Sequence, residues 1–211
     1  MSGSKKEVTL NNDLDSVSYA IGIDIATNLK KSGFDNVNSD AIAKGFDDIF
    51  ADKIPLIEPE AANRYVMDYF NKARDKKALE NLENAEKFLS ENKSKDGVIT
   101  TESGLQYKII KEGDGPKPQL TDKVKVSYKG TLIDGTEFDA TEEGNPAQFR
   151  VNGVIKGWTE ALQLMPVGSK WELYIHPDLA YGKNPRPGGA IQANDALIFD
   201  IELLEIVPDN K

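Results

Sequence analysis

The chain has 211 residues, with 35 acidic side chains against 26 basic ones, a formal charge of −9, one histidine and no cysteine. The length admits one large domain or two small ones, and the acidic balance argues against non-specific binding to nucleic acid. Without cysteine there are no disulfides, thiolate metal sites or cysteine nucleophiles, and a single histidine, His176, rules out the commonest metal clusters.

Taken in chain order, Met1 to Lys6 carries a basic pair with no apolar run behind it, so no signal peptide is expected as the sequence stands. A trimmed export signal would place the protein in the periplasm or cell envelope, and its absence in the cytoplasm; both stay open. No stretch approaches the ~20 apolar residues of a membrane-spanning helix.

Leu14, Val17, Ile21, Ile25 and Leu29 share one helical face, with Asp13 and Asp15 at its start and Gly33 just past its end. Val17, Tyr19, Ile21, Ile23 and Ile25 also alternate as in a strand, which stays as the alternative. Length and the helix formers Ala20, Ala26 and Leu29 favour the helix. Asn38, Ser39 and Asp40 offer caps for a second helix carrying Ile42, Phe46, Ile49 and Phe50. From Glu58-Pro59 to about Lys93 nothing breaks a third. Its first half bears an apolar stripe of Ala62, Tyr65, Val66, Tyr69, Phe70 and Ala73; its second half thins to Leu79, Leu82 and Leu89 amid charges and reads as a solvated face. So little core for so many aromatics predicts self-association, with the long helix as a stalk.

Near Lys93–Gly97 the composition changes, and most glycines, most prolines and both tryptophans follow. Strands are expected at Leu105–Ile110, around Val124, Val126 and Tyr128, at Trp171–Ile175 and at Leu197–Leu203. Asp134-Gly135 marks a hairpin. Only Trp158 to Leu164, closed by Met165-Pro166, has helical spacing in this half. The expected fold is α+β: an all-α region over residues 1–57, a long connecting helix over 58–96, and an antiparallel sheet wrapped around one short helix over 97–211.

Reactive groups are few. His176 precedes Pro177 at a strand end and reads as a partly exposed structural histidine; no nucleophile elbow or phosphate-binding glycine loop is present. What remains is a set of apolar residues beside turns, each of which taken singly reads as ordinary core: Tyr128, Phe138, Phe149, Val154, Ile155, Trp158, Tyr181, Ile191 and Phe199. Asp139 stands apart, since an unpaired carboxylate directly after a strand aromatic would be costly to bury. So does Tyr181, whose hydroxyl precedes a Pro/Gly-rich loop and could reach a ligand.

Val124-x-Val-x-Tyr128-x-Gly130, Asp134-Gly-Thr-x-Phe138-Asp139, Val154-Ile-x-Gly-Trp158, Met165-x-Val-Gly168, Ala180-Tyr-Gly182 and Leu197-x-Phe199 follow one another in an order that resembles the FK506-binding protein (FKBP) family of peptidyl-prolyl cis–trans isomerases. Ser18-Tyr-Ala-Ile-Gly22 and Ala43-Lys-Gly45-Phe46, ahead of a long helix, resemble the dimerisation region of bacterial macrophage infectivity potentiator-like members.

The resemblance implies a proline pocket floored by Trp158 and walled by Tyr128, Phe138, Phe149, Val154, Ile191 and Phe199. Asp139 would sit against Tyr128, while the Ile155 N–H and the Tyr181 hydroxyl would hold substrate carbonyls. Ala147, Leu179, Arg186 and Gln192-Ala193 depart from the commonest family pattern, which bears on substrate preference and drug affinity. The implied partners are proline-containing polypeptides, macrolide inhibitors of the FK506 and rapamycin type, and a second copy of the chain; no cofactor or metal is implied. A chaperone or peptide-binding dimer without useful catalysis is the rival reading.

Overall fold

The computed structural model describes residues 8–31, 33–34 and 36–208, so the basic start at Met1–Lys6 lies outside the described residues. The chain divides into two compact units, Met1–Arg74 and Asp75–Lys211.

The first unit holds α1 (Asp13–Lys31), α2 (Ser39–Phe50) and the first half of α3 (Pro59–Asn92). Asp13 and Asp15 in the first turn of α1, and Lys30 and Lys31 in the last, complement the helix dipole. The alternating stretch from Val17 to Ile25 lies wholly inside this helix. Asn38 caps α2 by accepting the N–H groups of Asp40 and Ala41, each at 3.1 Å. Phe34 stacks on Tyr69 with ring centroids 5.0 Å apart and meets the edge of Phe70 at 4.5 Å. Beyond that contact the unit buries little: α1 has no buried residue, and α2 only Asp48, paired with Lys44.

The second unit is a fully antiparallel sheet of β1 (Val98–Thr100), β2 (Gln106–Lys111), β3 (Lys123–Leu132), β4 (Glu137–Ala140), β5 (Ala147–Arg150), β6 (Lys170–Ile175) and β7 (Leu197–Val207). The order is β1-β2-β6-β7-β3-β4, with β5 also pairing β3. Alternation places Val124 and Val126 of β3, Trp171, Leu173 and Ile175 of β6, and Leu197, Phe199, Ile201 and Leu203 of β7 in one core. Against it lies α4 (Lys156–Leu164), which buries Gly157, Trp158, Ala161 and Leu162. A Cβ on Gly157 would stand 2.7 Å from Ile175 Cγ2, so the missing side chain lets the start of α4 approach the sheet closely. His176 is structural: its Nδ1 accepts the Asp178 N–H at 3.2 Å and caps a short 3-10 turn, Pro177–Leu179.

One expectation is corrected here. The second half of α3 is not a solvated face, since Asn81, Ala85, Leu89 and Asn92 are buried along one stripe. Two of the four are asparagines, so the stripe is invisible to a count of apolar residues. Their Nδ2 groups are hydrogen-bonded, which offsets part of the cost of burial, while Asn92 Oδ1 has no partner among the described residues. Asn92 Nδ2 donates to Gln106 Oε1 at 3.0 Å, and Gln106 Nε2 donates to the Leu89 carbonyl at 2.9 Å.

Candidate active site

Five elements, β3, β4, β5, β7 and α4, bring the aromatic residues together. Tyr128 and Gly130 lie two apart on β3 and so share a face; Gly130 is opposite Phe199 of β7 on one side and Asp139 of β4 on the other. Phe149 of β5 faces Val124 of β3. Trp158 enters from the first turn of α4 and meets Tyr128, Phe149 and Phe199 edge-on, at centroid distances of 5.1, 5.7 and 5.1 Å and interplanar angles of 87°, 87° and 78°. Phe138 crosses Phe199 at 5.4 Å and 85°. The result is an aromatic box: each ring presents its edge to a neighbour's face, the arrangement the ring quadrupoles favour.

The floor of the box is nearly closed, with Trp158 and Phe199 each 4% exposed. Tyr128, Phe138, Phe149, Val154, Ile155 and Ile191 are half-buried around that core, and Tyr181 stands at the rim, 41% exposed. The face turned to solvent is therefore apolar, with a hydroxyl at its edge. Two open grooves of about 460 and 410 Å³ lie elsewhere; the second touches this set only at Val154.

The polar groups are few and placed. The Tyr128 hydroxyl donates to Asp139 Oδ2 at 2.6 Å. Burial first, then the hydrogen bond and charge of Asp139, push the Tyr128 phenol above its ordinary value, so it remains a protonated donor at neutral pH. Tyr181 adds a smaller part to the rise. Asp139 itself is exposed, so its pairing with Tyr128 owes nothing to burial of the acid. Ile155 caps α4: its carbonyl accepts the Thr159 N–H at 3.0 Å, while its own N–H has no acceptor among the described residues.

Of two further residues that shape this site, sequence reasoning passed over Thr141 and quoted Gly130 in a motif without giving it a role. Thr141 pins the backbone of Tyr128, its Oγ1 accepting the Tyr128 N–H at 3.0 Å and donating to the Tyr128 carbonyl at 3.2 Å. Gly130 carries no role in the sequence reading, yet a Cβ there would stand 2.6 Å from Phe138 and 2.8 Å from Phe199. A glycine inside a strand, flanked by aromatics two and eight residues away, was the available signal.

Residues 115–204, which contain the whole box, match the family model described as FKBP-type peptidyl-prolyl cis-trans isomerase; residues 14–109 match that of the domain amino terminal to FKBP-type peptidyl-prolyl isomerase. The chain belongs to the FKBP-type peptidyl-prolyl cis–trans isomerase family, and it is an enzyme of that class. It is 49% identical to the outer membrane protein MIP of Legionella longbeachae, over 94% of this chain and 88% of that one. Identity to the FKBP-type 22 kDa peptidyl-prolyl cis-trans isomerase of Escherichia coli is 43%, over 90% of this chain and 94% of that one. The crystal structure of FkpA from Escherichia coli superposes with a TM-score of 0.77 at 35% identity, covering 96% of this chain and all of that one. The α+β fold, with a helical N-terminal part ahead of an FKBP domain, is thus that of the family. No helix among the described residues is long and apolar enough to cross a membrane.

Proposed function

We propose that this isomerase turns X–Pro bonds of polypeptide substrates at the aromatic box, with the proline ring against Trp158 and the substrate backbone held at the rim. The observation that supports this most is the triple edge-on packing of Trp158 against Tyr128, Phe149 and Phe199 beneath an apolar, partly open face. Amide resonance sets a barrier of ~18–20 kcal/mol and makes X–Pro isomerisation take tens of seconds or more. At the half-turned geometry that resonance is lost and the bond is less polar than in the planar state. An apolar surface disfavours the planar, polar amide relative to the twisted one, and this difference lowers the barrier.

Orientation supplies the rest. The Ile155 N–H and the Tyr181 hydroxyl are the donors for carbonyls flanking the proline, which hold the chain in a turn compatible with the twist. The Tyr128–Asp139 pair fixes the edge of the apolar face. No proton leaves and no covalent bond forms, so the want of nucleophiles and acid–base pairs suits the reaction. Macrolides of the FK506 and rapamycin type are inhibitors on this reading, competing with substrate for the same face. The rival reading of a peptide-gripping dimer without catalysis is not favoured, since the isomerase match runs through every residue of the box.

We infer also that the first unit joins two copies of the chain. Val17, Tyr19, Ile21, Ile23, Phe46, Ile49 and Phe50 are all exposed in one copy, an apolar area that water penalises at roughly 25 cal/mol per Å². A protease-coupled isomerisation assay on a proline tetrapeptide tests the catalytic reading. Tyr181→Phe with undiminished kcat/KM would remove that hydroxyl from the mechanism.

A further inference from the structure

The segment between Gly182 and Asn194 links Tyr181 at the rim to Ile191 in the wall, and it has no helix or strand of its own. Its neck is closed by the Asn194 N–H, which donates to the Gly182 carbonyl at 2.8 Å. The side chains at that neck lead away from the box. Asn194 Nδ2 donates to the carbonyl of Ala78 in α3 at 2.9 Å, and Asn81 Nδ2 of α3 donates to the Ala193 carbonyl at 3.0 Å. Helix and loop thus each give one side-chain amide and accept one.

Asn81 is a poor choice for its helical position unless this exchange is its purpose, and both side chains are polar groups taken out of water. Asn81 is mid-helix, where asparagine is a weaker former than alanine or leucine, and only 8% exposed, where an unpaired amide is costly. Asn194 is 4% exposed and has φ 62°, a left-handed conformation that asparagine tolerates better than most residues. The α3 end of the exchange lies outside the stretch matched as the isomerase domain.

We propose that Asn81 and Asn194 are positioning residues for the isomerase site. By exchanging hydrogen bonds between α3 and the neck of the 182–194 segment, they hold Tyr181 and Ile191 at the spacing that grips the substrate. The second half of α3 is then a working part of the catalytic unit. This rests on the site proposed above. It predicts an effect on substrate binding, because the residues moved are those that contact the chain, while the Trp158 floor is untouched.

The test uses the full chain with Asn81→Asp, which keeps the shape and removes the donor, and Asn194→Gly, which keeps the left-handed backbone and removes the side chain. In each, KM for a proline tetrapeptide rises about 3- to 10-fold with kcat within about twofold. Trypsin cleavage of the native protein after the exposed Lys183, inside the segment, accelerates by a similar factor. Unchanged KM in folded variants overturns the proposal, even if cleavage accelerates, because the anchor would then have no catalytic consequence. Loss of the fold in both variants overturns it as well, since the contacts would be structural only. Were the box itself not the site, Trp158→Leu would keep full turnover while the cleavage readout still reported the anchor, so the two failures are separable.

Discussion

The Tyr128 hydroxyl and Asp139 Oδ2 are 2.6 Å apart, a short bond that ties β3 to β4 at the edge of the aromatic box. The acid is exposed while the phenol is half-buried, so the pair joins the wet rim to the dry wall. A hydrogen bond to a charged acceptor contributes about 1.5–3 kcal/mol when buried, and less at an exposed acid. Tyr128→Phe and Asp139→Asn are each expected to lower kcat/KM about 3- to 10-fold. The double variant should fall little further than either, because the two act as one unit. Full additivity of the two losses, measured in the isomerisation assay, would contradict the pairing.

Gly130 exists where two rings need its missing side chain. With its Cβ 2.6 Å from Phe138 and 2.8 Å from Phe199, Gly130→Ala forces at least one ring to move, at a cost of about 1–3 kcal/mol. Both Tm and kcat/KM are expected to fall. Gly153→Ala is the matched control: its nearest neighbour would be Arg150 Cβ at 3.6 Å, an ordinary contact. A Gly130→Ala protein with the melting point and turnover of the control would refute the close packing.

Asp195 is expected to give the protein a pH dependence whose sign follows from its surroundings. Burial pushes its carboxyl above the ordinary range and Asp134 adds to this, while the Gln192 N–H and the charge of Lys77 oppose it. The folded state therefore holds the proton more tightly than the unfolded chain. The carboxyl begins to cost stability as pH rises above the unfolded value near 4, and costs it in full once pH passes the folded value. Asp195→Asn, whose carbonyl can still accept from Gln192, is expected to melt higher than the parent at pH 7 and to lose that advantage as pH falls toward about 4. Thermal melts across that range check it; a deficit of equal size at both ends would contradict the assignment.

The exposed face of the first unit sets the fourth expectation. Phe46 and Phe50 stack one turn apart on α2, both open to solvent in the single chain. Sedimentation at micromolar concentration should report a dimer. Phe46→Asp should shift it toward monomer and lower Tm, with the catalytic unit's activity on a short peptide retained. A monomer in the parent protein would end the dimer reading.

Much of this architecture is legible in the residues because their periodicity is long. α1 shows its acidic first turn and α2 its cap, each with 3.6-residue spacing, β3 alternates from Val124 to Tyr128 and β7 from Leu197 to Leu203, and Asp134-Gly135 declares its hairpin. The box residues stand out through an ordered series of short motifs, and the structure brings Tyr128, Phe138, Phe149, Trp158 and Phe199 into one ring cluster. β1 and β5 escape notice because three or four residues cannot display a period. The buried stripe of α3 escapes because half of it is asparagine, whose burial depends on partners more than ten or a hundred residues away. Thr141 and Gly130 act through backbone position and empty space, which composition does not register.

On the function proposed for it, the aromatic box around Trp158 eases X–Pro rotation by fit alone. The decisive quantity is kcat/KM for a proline tetrapeptide in Trp158→Leu, with folding verified by an unchanged far-ultraviolet spectrum. A loss of at least tenfold is expected, equivalent to about 1.4 kcal/mol of transition-state stabilisation. A folded Trp158→Leu protein that turns substrate over at the parent rate would contradict it.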